Sequence, residues 1–488
     1  MNQRRSRLTT TRLAALATTT AVCAGLALPA ATAASTTTTA PALAAARGER
    51  SSDAPTVVSV SPRESADDSG VRLRLAYTGA TDLQPTGTYL EPGEQVTINV
   101  KAHLKGDDGL PSVAIGVPEA QLDENGKRLK TRILALTPGK NTITDTYGGP
   151  VYLVWHGDND SKSTAKVTIG KAAEQMATFT LGETTEREFQ RELDQHTAPF
   201  VELVGDDSMM TFYRYQVLPF RDENHAKLMR TLDRIVRIED KVAGYGSAGP
   251  ESERPEGPHH LVGYPGNLPG AWAQAWLQFT TYSEGGLDAV LTVDGLRERG
   301  WGVAHELGHQ HQNTSTTPAR TVEVVANVFA LAVQRRFTED YGQQPRLRAI
   351  TKDGTSRWDQ AMAALDAGID SYDDDVRGSD MIPFEQLRLA FGEDYITRWH
   401  TMVRQDPTTF QTLYSDDGHS PEADLQLWQN LVYATSLATH HDLADFWTTW
   451  GVTVTDETKN KIDHLPQPTV DPTTLRETNI DEPSIWGD

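Results

Sequence analysis

The stretch Trp301-Gly302-Val303-Ala304-His305-Glu306-Leu307-Gly308-His309-Gln310-His311-Gln312 decides how the rest of the chain is read. His305 and His309 stand four residues apart, so on an α-helix they share one face, a turn from each other. That spacing lets two imidazoles reach one Zn²⁺ at roughly 2.0–2.1 Å. Glu306 follows the first histidine directly, where its carboxylate can lean over the metal without ligating it and deprotonate a metal-bound water. The pattern predicts a helix over about 297–313, a Thr/Ser/Pro-rich turn at Asn313–Arg320, and a second helix over about 321–337.

The third ligand sharpens the reading. One common zinc-helix pattern requires Gly and His three and six residues past the second histidine; Gln312 and Ser315 occupy those positions and exclude it. The other common solution is a glutamate on a second helix. Between His309 and Glu339 the only carboxylate is Glu323, set in an otherwise apolar helical run from Val322 to Leu331. An ionised carboxylate there is costly unless a cation or metal answers it. His305, His309 and Glu323 are therefore the candidate ligands and Glu306 the candidate base, a gluzincin-type arrangement. Asn327 lies one turn after Glu323, where its amide oxygen can accept the free N–H of a zinc histidine or serve as an ordinary helix-packing amide. His311 points off the ligand face and is expected to be structural or superficial. Tyr264, His259, His260 and Tyr282 lie upstream, the last in an expected strand Leu277–Tyr282 that could supply a donor to a tetrahedral oxyanion. For these, and for Arg388, His440 and His441, packing or surface roles are favoured.

Working outward, 488 residues suggest two to four folded units, and 38% hydrophobic content with 10 Trp supports packed cores. Residues 1–34 carry Arg4, Arg5, Arg7 and Arg12, then an apolar run, then Ala31-Thr32-Ala33, the pattern of a secretory signal peptide. Its removal takes the net charge from −22 to −26 and removes Cys23, the one cysteine, so the mature chain is expected to be extracellular and free of disulfides. Val22 before Cys23 spoils a lipid-attachment site. The acidic balance excludes a nucleic-acid binder and electrostatic docking on anionic lipid. No internal run of 18 apolar residues exists, so no stable membrane insertion is expected. Residues 35–70 read as a low-complexity leader. Residues 71–172 alternate in short runs (71–75, 96–100, 151–155, 166–169) between turns such as Pro92-Gly93 and Asn125-Gly126, which predicts an antiparallel β-sandwich. Residues 173–345 form the expected catalytic domain, with helices at Thr185–Leu193 and Ala226–Val242 and a loop region at 243–270. Residues 346–465 form a Trp-rich helical subdomain, and 466–488 a tail. The fold class is multidomain α+β.

The stretch Gly302–Gln312 followed by Val322–Phe329 resembles the viral-enhancin and mucin-degrading zinc metallopeptidases. Thr86–Glu94, Gly148–Leu153, Ala198–Leu203, Phe384–Gly392 and Phe446–Gly451 resemble further segments of that family in the family's order, over about residues 80–465. The resemblance implies a zinc endopeptidase acting on protein or glycoprotein substrates, often mucin-like and O-glycosylated. Two alternatives stand beside it: a general extracellular zinc protease with no glycan requirement, and a non-enzymatic secreted glycan-binding protein with a relict zinc site.

Overall fold

The computed structural model describes residues 55–476 except 78, 80–81, 159–160, 247–248, 250–251, 343–344, 373–379 and 413–419. The expected signal peptide, the first part of the leader and the end of the tail lie outside the described residues. The chain is mixed α+β, with antiparallel sheets in its N-terminal part and helices dominating its C-terminal part.

Nine strands build the N-terminal unit: β1 (Thr56–Val60), β2 (Gln84–Leu90), β3 (Gln95–His103), β4 (Ser112–Ile115), β5 (Arg132–Ala135), β6 (Gly139–Thr144), β7 (Gly149–Val154), β8 (Thr164–Ile169) and β9 (Glu174–Gln175). They form a four-stranded sheet, β1-β8-β3-β6, and a five-stranded sheet, β5-β4-β7-β2-β9, with every pairing antiparallel. Strand period two turns Val96, Ile98 and Val100 of β3 and Ala165, Val167 and Ile169 of β8 inward, onto Val113, Ile115, Val151 and Leu153 of the other sheet. Strand β7 is buried on both faces, which is why its sequence runs apolar without alternation. Its second face, Tyr152 and Val154, packs on Met209 of the central part.

Two expectations fail here. Residues 56–70 are not a loose leader: β1 pairs with β8 along its length, and helix α1 (Ala66–Leu73) follows. The alternating run Val71–Leu75 is the end of that helix rather than a strand. Ser65 caps it by accepting from the Asp68 N–H at 3.0 Å, Asp67 and Asp68 occupy its first turn, and Arg74 closes it in the left-handed region. Five alternating residues are too few to outweigh a capped helix start.

The central part holds a six-stranded mixed sheet in the order β10-β11-β12-β13-β15-β14, made of β10 (Ala177–Thr180), β11 (Phe200–Val204), β12 (Ser208–Tyr213), β13 (His259–Gly263), β14 (Ala273–Ala275) and β15 (Phe279–Tyr282). Strand β13 lies inside the stretch 243–270 expected to be loop. It is fully buried between β12 and β15. The helices are α2 (Glu186–Gln195), α3 (Arg214–Val217), α4 (His225–Val242), α5 (Asp288–Leu291), α6 (Val293–Arg299), α7 (Trp301–His309) and α8 (Val322–Tyr341). The helix expected over 297–313 is thus two helices, broken at Gly300 and ending at His309.

Helices at Arg357–Ala367, Ile382–Phe391, Asp394–Gln405, Pro421–Thr439, Ala444–Thr449 and Asp456–Ile462 follow. Their buried Trp358, Trp399, Trp428, Trp447 and Trp450 belong to the same hydrophobic cluster as α4, α7 and α8. The helical region therefore shares one core with the central part instead of forming a detached subdomain. A buried ion-pair group reinforces the join: Arg335 of α8 reaches Glu385 at 3.2 Å and also Glu393, and Arg388 holds Glu385 at 2.8 Å. The described part of the tail packs back, with the Gln386 amide donating to the Leu475 carbonyl at 3.0 Å. Among the described residues no helix is long and apolar enough to cross a membrane.

Candidate metal centre

Helices α7 and α8 cross closely because Gly308 has no side chain. A Cβ there would lie 2.6 Å from the Ala326 carbonyl oxygen. That approach brings Glu323, in the first turn of α8, against the two histidines of α7. Glu323 Oε2 lies 3.0 Å from His305 Nε2 and 3.7 Å from His309 Nε2. The rings stand edge to face, 4.7 Å between centroids. On the far side of each ring, Nδ1–H donates to an amide oxygen: His305 to Asn327 Oδ1 at 2.9 Å, His309 to Gln312 Oε1 at 3.1 Å. Gln312 is itself oriented by donating its Nε2 to the Val322 carbonyl, at the start of α8.

This arrangement fits a metal ion. Both Nδ1 atoms are spent on oxygens, so both Nε2 lone pairs turn toward one carboxylate oxygen, and His309 Nε2 is buried without a hydrogen-bond partner. Two borderline nitrogens and a carboxylate are a donor set for zinc. The electrostatics agree. Burial alone would raise the Glu323 pKa, yet the proximity of His305 and His309 holds it far below the usual carboxylate range. Burial raises the pKa of Glu306, 3% exposed, against the opposing pull of His305 and His309. Glu306 is thereby moved toward the proton affinity a general base needs near neutrality.

The structure gathers His305, Glu306, His309, Glu323 and Asn327 in one place. The other candidates lie outside that group. His311 is not superficial: it is buried, with Nδ1 on the Leu307 carbonyl and Nε2 on Asp240, each at 3.0 Å. His259 faces Gln310, and His260 bonds Thr211 at 2.8 Å. Tyr264 lies under the Arg128 guanidinium. Tyr282 is fully buried within electrostatic reach of Glu306, its hydroxyl taken by Thr280. Arg388 is bound to Glu385, while His440 caps a helix in the left-handed region and His441 donates to the Thr439 carbonyl.

Two contributors escaped the sequence reading. Gln312, three residues past His309, could have been found by asking what orients that ring. Tyr77 could not: its hydroxyl is 3.1 Å from His309 Nδ1 across 232 positions of sequence. It arrives because the segment after α1 lies alongside the turn after α7, with the Ala76 N–H donating to the Gln312 carbonyl and the Thr314 N–H to the Arg74 carbonyl, both at 2.8 Å.

Residues 172–451 match the family model described as Peptidase M60, enhancin and enhancin-like, and residues 64–170 match the N-terminal domain of M60-like peptidases. The chain belongs to the enhancin-like M60 peptidase family. Solved structures share its fold. A functionally unknown conserved protein from Bacillus anthracis is 26% identical, with a TM-score of 0.72, over 86% of this chain and 80% of that one. The ZmpB metallopeptidase from Clostridium perfringens is 20% identical, with a TM-score of 0.67, over 86% and 81%. The M60 catalytic domain of ZmpC from the same organism, solved in complex with the sialyl T antigen, is 16% identical, with a TM-score of 0.65, over 86% and 81%. The mouse TRPM8 channel-associated factor 3 is 24% identical over 86% of this chain; the match covers 47% of that relative, so the chain spans about half its length.

Proposed function

We propose that this M60-family chain is a secreted zinc endopeptidase of gluzincin type that cleaves mucin-like, O-glycosylated proteins. The observation that carries the peptidase reading is the convergence of His305 Nε2, His309 Nε2 and Glu323 Oε2 with the Glu306 carboxyl buried beside them. His305, His309 and Glu323 would hold the ion, which when bound supplies Lewis acidity to the scissile carbonyl and acidifies its water. Glu306 accepts the proton of the attacking water and passes it to the leaving amine. Asn327 and Gln312 keep the two rings in the tautomer that presents Nε2.

Support for a glycosylated substrate comes from the sialyl T antigen bound to the ZmpC catalytic domain, a fold relative. Support for export comes from the charged, apolar and small-residue succession of residues 1–34. The names of the TRPM8 channel-associated relatives describe association with a channel. An intact Glu306 favours catalysis here, since a binding module has no use for the base.

Purified protein is incubated with an O-glycosylated mucin and its deglycosylated form, with and without chelator, beside Glu306→Gln. Chelator-sensitive cleavage lost in the variant, which keeps its metal, is the expected result. Cleavage retained in Glu306→Gln rejects the mechanism. Equal cleavage of both mucin forms replaces the glycan-directed reading with a general protease. No cleavage of either form by metal-loaded protein favours the binding-protein reading.

A further inference from the structure

A second buried group repeats the geometry of the first. Asp240 at the C-terminal end of α4, His259 at the start of β13 and His311 just past α7 each offer one donor atom, all within 4.8 Å of one another, and all three residues are buried. His311 Nδ1–H donates to the Leu307 carbonyl at 3.0 Å, and His259 Nδ1–H donates to Gln310 Oε1. In both rings, then, Nδ1 is spent on an oxygen and Nε2 is the nitrogen left for a cation. The same division holds for His305 and His309, with amide oxygens in the same role. Gln310 and Gln312, two residues apart, serve one histidine in each group.

His311 Nε2 faces Asp240 Oδ1 at 3.0 Å, the separation His305 Nε2 keeps from Glu323. A lone pair and a carboxylate oxygen can sit that close only with a cation between them, either a proton or a metal. Three observations favour a metal. A third ligand, His259, converges on the pair, its ring stacked 5.8 Å from that of His311. Arg254 Nε lies 3.1 Å from Asp240 Oδ2, which leaves Oδ1 as the ligating atom. Glu239, wholly buried and 3.6 Å from His311 Nδ1, has neither carboxyl oxygen in a hydrogen bond, and Tyr245, whose hydroxyl is also buried without a partner, packs its ring 5.4 Å from that of His311.

We propose that Asp240, His259 and His311 bind a second, structural divalent cation of the zinc type, with a water completing four-coordination. Such an ion joins α4, β13 and the turn that follows α7. It does so in a protein whose sole cysteine, Cys23, offers no disulfide for the purpose. It also holds the Gln310–Gln312 turn whose second glutamine orients His309.

The test is metal content, independent of peptidase activity. Protein is equilibrated with zinc chloride and desalted, zinc is counted per chain, and crystals are measured at the zinc absorption edge. Wild type is expected to hold two zinc ions, with anomalous peaks at both groups. His305→Ala with Glu323→Ala should retain one, at Asp240, His259 and His311. His311→Gln should retain one, at the other group. A wild type saturating at one zinc, or a His305→Ala/Glu323→Ala protein holding none, overturns the proposal and leaves a proton between Asp240 and His311. The double variant decides the matter even if His311→Gln fails to fold. Failure of the peptidase reading looks different: two bound ions and no cleavage.

Discussion

Gly308→Ala tests whether the α7–α8 crossing builds the metal centre. The added methyl would lie 2.6 Å from the Ala326 carbonyl oxygen and 3.1 Å from Phe329 Cβ. Restoring an ordinary contact of roughly 3.4 Å moves the helices about 0.8 Å apart at that point. The obstacle is backbone, so no side-chain rotation relieves it. Metal–ligand distances tolerate only about 0.2 Å, and the displaced helix carries Glu323 while the fixed one carries both histidines. Overpacking costs about 1–3 kcal/mol, and replacing a helical glycine by alanine returns about 1 kcal/mol. Net stability therefore falls by only about 1 kcal/mol, a shift of a few degrees in Tm. The decisive readout is zinc affinity at the His305–His309–Glu323 group, expected to weaken at least about ten-fold, or 1.4 kcal/mol. Competition against a chromophoric chelator measures it, in a His311→Gln background so that one site is read. Affinity within two-fold of that background would refute the claim that Gly308 sets the spacing.

Asn327→Ala should weaken zinc about 10- to 100-fold by releasing the His305 ring, with helix content unchanged; unaltered affinity would reduce Asn327 to a packing amide. Glu202, buried at the face where the sandwich meets the catalytic sheet, has its pKa pushed up to about 7 by burial. The native state then binds the proton more tightly than the unfolded state, so its contribution is full below about pH 4.5 and is lost as pH rises through about 7, a total of about 3 kcal/mol. Glu202→Gln should flatten that part of the stability profile, and parallel denaturation curves from pH 4.5 to 8 for the two proteins would contradict it. Arg335→Met strands Glu385 and Glu393 in the core and should cost about 3–5 kcal/mol in denaturant unfolding, whereas a loss under 1 kcal/mol would show that Arg388 suffices.

The family's own N-terminal and catalytic models meet near residue 171, and the two parts are bonded across that seam. Tyr152 of β7 shares a hydrogen bond with Thr211 of β12 at 3.1 Å, and Tyr77 reaches the metal centre from the segment after α1. The N-terminal unit is thus a structural component of the site, and its removal should disturb His309.

His305, Glu306, His309, Glu323 and Asn327 could be singled out from the sequence because their relations are local: helical periodicity puts residues four apart on one face, and an ionisable group in an apolar helix asks for a partner. Strands β3 and β8 were legible for the same reason, since alternation with period two needs no knowledge of what lies opposite. Tertiary structure alone decided the rest. Strand β13 carries no alternation to betray it, because a strand buried on both faces takes its pairing from its neighbours. Helix α1 was masked by a short alternating run and is identified by its cap. His311 reads from sequence as structural or superficial, and only the fold sets Asp240, 71 positions away, against it; His259 likewise meets Gln310 across 51 positions. Contacts at such separations are chosen by which buried surfaces close on one another, a property of the whole packed core that no local spacing encodes.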